Sequence, residues 1–189
     1  MELTESYTLP ISQQRTWEAL NDTAVLRASI PGCESIEADG ENAFALSMSA
    51  SVGPVKARFK GRMLLTDIDA PQTYTIVFEG QGGVAGFGKG SARVVLESEG
   101  AEATKLTYTA SAQVGGKLAQ IGSRLVDGAA RKLAGEFFKR FIAQLSGEGD
   151  AAAETAVAAD TASNDGADAA SGDDQTKRKK SWTAWISKS

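Results

Sequence analysis

Lys177, Arg178, Lys179 and Lys180 run consecutively and are followed by Trp182, Trp185 and Ile186. In a helix the last three stand at i, i+3 and i+4 and share one face directly behind the bases. Indole rings favour the headgroup region of a bilayer, and each base near an anionic leaflet contributes about 1 kcal/mol. Four bases and three apolar anchors are enough to hold a chain reversibly on a membrane surface without crossing it. Docking on a partner protein, or a solvated terminus that touches nothing, stand beside that reading. Single-stranded nucleic acid also uses bases with aromatics, but a lone cluster behind an acidic stretch makes a poor groove.

A second group could hold a guest. Phe44, Leu46, Met48, Phe59, Met63, Ile76, Phe78 and Tyr108 fall on the covered face of a series of alternating segments. Leu125, Ala129, Leu133 and Phe137 stand opposite on a helical one. Methionines adapt to pockets of uncertain shape. Gly122, Gly128 and Gly135, with Ala129 and Ala130, put small residues on that helix. Glycine inside a helix costs about 1 kcal/mol relative to alanine, so they call for close packing or for room beside the sheet. The same residues also read as plain core, and a one-residue slip in register would turn a whole strand over. Phe87, in the glycine-rich run at 80–90, is expected at the tip of a loop over the cavity mouth. That run lacks the strand–loop–helix setting of a phosphate-binding loop.

Other chemistry is excluded or thinly supported. The chain has no histidine, which removes zinc sites built on it and Ser-His-Asp or Cys-His catalysis. Its one cysteine, Cys33, cannot form an internal disulfide. No paired carboxylates carry a local signature of acid–base work, and Asp67 and Asp69 look like turn residues. No metal site is expected. Lys56, Arg58, Lys60 and Arg62 alternate along one strand as a basic stripe on the outer face, which is either solvated or a docking surface for something acidic.

The elements that must position these residues follow from periodicity. Residues 2–9 alternate as an edge-like strand that Pro10 ends. Ser12 then caps a helix over 13–20, and a second short helix over 23–30 stops at Pro31-Gly32. From there to about 115 the period is two, with turns at Asp39-Gly40, Gly53-Pro54, Ala70-Pro71 and Glu99-Gly100. After Gly115-Gly116 the period becomes helical, with Leu118, Ile121, Leu125, Ala129, Leu133, Phe137 and Phe141 on one continuous helix of about 28 residues, about 42 Å long. The expectation is an α+β fold. A curved antiparallel sheet of six to seven strands wraps one long C-terminal helix, and two short helices follow the first strand.

Charge divides the chain further. Residues 1–146 are nearly neutral, which argues against nucleic acid as a partner. Residues 147–175 hold eight acids, no base and Val157 as the one large aliphatic, so they are expected to be a disordered linker. Residues 176–189 carry five bases and no acid. The polar start and the lack of a long apolar run make the cytoplasm the default.

Four segments in this order, IPGCESIE (30–37), VGPVKARFKGRM (52–63), GFGKGSARVVL (86–96) and GGKLAQIGSRLVDGAARKLAGEFF (115–138), resemble the CoxG family of carbon monoxide dehydrogenase proteins, within the helix-grip (START-like, SRPBCC) superfamily. The resemblance covers residues 1–146. It implies a non-catalytic accessory of a molybdenum CO dehydrogenase or related hydroxylase, one that brings the enzyme to the inner face of the cytoplasmic membrane. It also implies an apolar ligand between helix and sheet. A quinone or other apolar lipid is the guest expected, since such enzymes pass electrons to a respiratory chain. An assembly factor that helps mature the dehydrogenase, with no bound ligand, is the alternative. A cyclase or hydrolase on the same fold is a third reading, disfavoured by the missing histidine.

Overall fold

The computed structural model describes residues 1–151. The acidic stretch beyond 151, and Lys177, Arg178, Lys179, Lys180, Trp182, Trp185 and Ile186, lie outside the described residues.

Strand β1 (Glu2–Leu9) is followed by helices α1 (Gln13–Leu20) and α2 (Thr23–Ser29). Ser12 caps α1 by accepting from the Arg15 backbone N–H, and Asp22 caps α2 through Ala24 and Val25. Six further strands follow: β2 (Cys33–Ala38), β3 (Ala43–Val52), β4 (Val55–Asp69), β5 (Thr73–Gln81), β6 (Phe87–Ser98) and β7 (Thr104–Gly115). All pairings are antiparallel, in the order β1-β7-β6-β5-β4-β3-β2, so β1 is an edge, as its sequence suggests.

The alternation in sequence becomes two faces. On β4, Lys56, Arg58, Lys60 and Arg62 are exposed while Ala57, Phe59, Gly61 and Met63 turn inward. Two acids of the β2 edge neutralise part of the outer stripe: Glu34 pairs with Arg58 at 2.9 Å and Asp39 with Arg62 at 3.0 Å. Two positions in the sheet have no room for a side chain. A Cβ on Gly90 would strike the carbonyl oxygen of Ser111 on β7, and one on Gly61 would lie 2.7 Å from that of Glu79.

The C-terminal helix is not continuous. A four-residue helix, α3 (Lys117–Gln120), precedes α4 (Ser123–Ala151), and Gly122, at φ +92°, makes the break between them. Only glycine adopts that backbone easily, so a run of apolar residues at helical spacing concealed a corner. At its other end α4 runs into the segment read as linker from residue 147, through Ala151.

The core lies where α4 crosses the sheet. Phe141, Leu9, Leu96 and Leu106 are fully buried there. Phe138 stacks on Tyr7 with ring centroids 4.0 Å apart, and Trp17 meets Tyr74 edge-on at 5.2 Å. Burying such aromatic and aliphatic side chains stabilises the fold by about 1.5–3 kcal/mol each, relative to leaving them exposed.

Candidate functional site

An apolar cavity of about 260 Å³ remains between sheet, helix pair and α4. Its floor comes from alternate positions of β3 to β7, including Phe44, Met63, Ile76, Val94 and Tyr108. Ala134, Phe137 and Phe138 of α4 roof it, and Leu20, Leu26 and Ile30 of the α1–α2 region close its side. Apart from tyrosine hydroxyls, every side chain in this wall is apolar. It is suited to expelling water from an apolar guest, and it offers no fixed charge.

Phe44, Met63, Ile76, Tyr108 and Phe137 are thus brought together from the set singled out in the sequence. The others stand elsewhere. Leu46 packs with Leu26, Ile36 and Phe44 beside the cavity. Met48 and Phe59 oppose each other farther along β3 and β4, where the Phe59 ring covers Gly82. Phe78 pairs with Met63 across β4 and β5 but is outside the lining. Phe87 is at the base of its hairpin, paired with Gln81 and lying over Gly115; the tip is Val84.

Leu125, Ala129 and Leu133 line a different hollow, of about 480 Å³, beside Gly53 and the β3–β4 turn. The reason is angular. At 3.6 residues per turn, a strict four-residue spacing rotates by about 40° at each step. The series 125, 129, 133, 137, 141 therefore winds around the helix. Phe141 is fully buried and Leu125 is 50% exposed. Neither do the helix glycines serve close packing: a Cβ on Gly128 or Gly135 would meet nothing within 4 Å.

Sequence reasoning passed over the helix pair as a wall, although Leu20, Leu26 and Ile30 are apolar. It also passed over Glu5, an acid on the inward face of β1 between Leu3 and Tyr7. Glu5 Oε2 accepts hydrogen bonds from the Tyr7 hydroxyl at 2.7 Å and the Tyr108 hydroxyl at 3.1 Å. The Arg131 guanidinium of α4 lies 3.6 Å from Oε1. Burial, then the Glu5 hydrogen bond and charge, pushes Tyr7 up to about 12. The same causes raise Tyr108, with Arg131 opposing them, and burial raises Tyr74. The cluster pins the β1 edge to α4 next to the cavity wall.

Cys33 is free and half-buried, and burial raises its thiol pKa, which disfavours the reactive thiolate. Among the described residues no group of three or more His, Cys, Asp or Glu is placed to hold a metal ion. No described helix is long and apolar enough to cross a membrane.

A seven-stranded antiparallel sheet gripping a C-terminal helix over an apolar cavity defines a START-like, helix-grip domain. Solved structures share this architecture. A conserved protein from Geobacillus kaustophilus superposes with a TM-score of 0.73 at 33% identity, covering 77% of this chain and 95% of that one. The Zhui aromatase/cyclase from Streptomyces gives 0.58 at 13% identity, over 76% and 92% of the two chains. A START superfamily protein from Mycobacterium smegmatis gives 0.53 at 15%, over 78% and 95%. The last two likenesses speak for the fold alone. No curated protein matches. The family model for CoxG, the G-subunit family of carbon monoxide dehydrogenase, matches residues 6–146, and the chain belongs to that family.

Proposed function

We propose that this protein is a non-catalytic accessory that holds a molybdenum CO dehydrogenase, or a related hydroxylase, at the inner face of the cytoplasmic membrane and carries an apolar electron acceptor between bilayer and enzyme. The observation that carries this reading is the cavity: about 260 Å³ of almost wholly apolar space in a family named for the dehydrogenase. Small-molecule pockets begin at roughly 300 Å³, so the space suits a ring or a short stretch of chain. A quinone fits this reading if its ring enters and its isoprenoid chain stays outside or spreads the wall. The basic-aromatic segment at 177–186 supplies affinity for the surface, and tethering raises the local concentration of whatever the domain binds.

The test is to mix the purified protein with liposomes carrying the native quinone, re-isolate it, and analyse an organic extract by mass spectrometry. A stoichiometric quinone or lipid is expected. An empty extract would remove the carrier role and leave a tether or an assembly factor.

A further inference from the structure

The two ends of the sheet differ in charge. The β3–β4 turn, the β5–β6 turn and the passage from β7 through α3 to α4 lie at one end, as the antiparallel ladders require. They also touch. A Cβ on Gly53 would lie 3.5 Å from Leu125 Cδ1 and 3.9 Å from Ile121 Cδ1, and one on Gly116 would lie 2.7 Å from the Gly86 Cα. Residues 51–60, 80–90 and 113–125, which build this end, contain six bases and no acid. The opposite end, residues 37–42, 66–72 and 97–105, contains eight acids and one base. The amino end of α4 also points to the basic end, adding about half a positive charge.

The basic end also presents exposed apolar side chains. Val84 is 86% exposed, Leu125 50% and Phe87 43%, three of the most exposed large apolar side chains in the domain. Arg58 is neutralised by Glu34. Lys56, Lys60, Lys89, Lys117 and Arg124 form no ion pair among the described residues.

We propose that this end is a second membrane contact: the turns around Gly53 and Val84 and the α3–α4 corner rest on an anionic bilayer, and the acidic end faces away. The proposal rests on the membrane reading given above and adds an orientation to it. A terminal basic-aromatic segment alone gives attachment and no preferred face. Exposed apolar side chains ringed by solvated bases match a layer whose surface is anionic and whose interior is apolar, and the acidic far end is repelled by it. One face of the domain is thereby fixed toward the source of an apolar guest.

The full chain tests this with vesicles of phosphatidylglycerol and phosphatidylcholine. In a Cys33→Ser background, a single cysteine at Val84→Cys or at Glu102→Cys carries an environment-sensitive fluorophore, and the vesicles carry a headgroup-level quencher. Quenching at 84 and none at 102 is expected. Protein that floats with the vesicles while the label at 84 stays unquenched overturns the proposal and leaves attachment by residues 177–186 standing. Equal quenching at both positions overturns it as well, and protein that does not float defeats both readings. Lys117→Gln with Arg124→Gln, made without touching Cys33, checks the charge: each lost base is expected to weaken vesicle binding about fivefold. Unchanged affinity in that variant also overturns the proposal.

Discussion

Tyr108 and Glu5 face each other directly across the β1–β7 ladder, and the Tyr108 hydroxyl donates to Glu5 Oε2 at 3.1 Å. Tyr7 donates to the same oxygen, so one carboxylate gathers two tyrosines, both stacked against Phe138. An edge strand is thereby tied to the helix that roofs the cavity.

Alkaline titration reads this cluster. The chain has three tyrosines, and all three are raised above the ordinary value of 10.0, Tyr7 to about 12. A native state that holds these protons above pH 10 binds more of them than the unfolded chain. Stability is therefore full below about pH 10 and falls as pH rises through about 12. Tyrosinate absorbance is expected to appear late and together with loss of fold. A titration near pH 10 with the fold intact would contradict the burial described.

Glu5→Gln removes the charge and leaves the shape. Tyr7 is expected to titrate lower than in the parent yet above its ordinary value, because burial is the largest cause of its shift. Weakened hydrogen bonds to the two hydroxyls should cost about 1–3 kcal/mol in urea unfolding.

Filling the cavity tests its emptiness. Ala134→Leu places added carbons into the space beside Phe137 and Phe138. Stability should hold or rise, because overpacking penalties arise where no space exists. Binding of an apolar fluorescent probe or a short-chain quinone should fall at least tenfold, as read by fluorescence titration. A drop in stability with probe binding retained would show that the space is already filled by packing.

Two glycines of the C-terminal region should respond with opposite signs. Gly122→Ala forces a side chain into φ +92° and should cost roughly 1–3 kcal/mol. Gly128→Ala meets nothing within 4 Å in an ordinary helical turn and should stabilise by up to about 1 kcal/mol. Thermal unfolding of the pair checks both.

Residues 177–186 give a salt-dependent prediction. Replacing Lys177, Arg178, Lys179 and Lys180 with glutamine should weaken liposome flotation about a hundredfold or more at low salt. Trp182→Ala with Trp185→Ala should weaken it with little change in salt dependence. Flotation unaffected by either set would remove this segment from the membrane reading.

The sequence by itself determined the element order, the inward and outward faces of the sheet and the cap at Ser12. These depend on local periodicity and local hydrogen bonds, which a chain carries in its order of residues. It also placed Phe44, Met63, Ile76, Tyr108 and Phe137 on the faces that enclose the cavity. The tertiary structure decided which part of each face meets which. A strand's alternation says which way a residue points but not how far along the sheet α4 lies, so Met48, Phe59 and Phe78 face inward yet stand outside the cavity. A four-residue repeat looks like a stripe and rotates as it advances, so Leu125, Ala129 and Leu133 went to another hollow. The Gly122 corner, the convergence of two tyrosines on Glu5 and the gathering of bases at one end bring together residues far apart in the chain. Only the folded packing sets those distances.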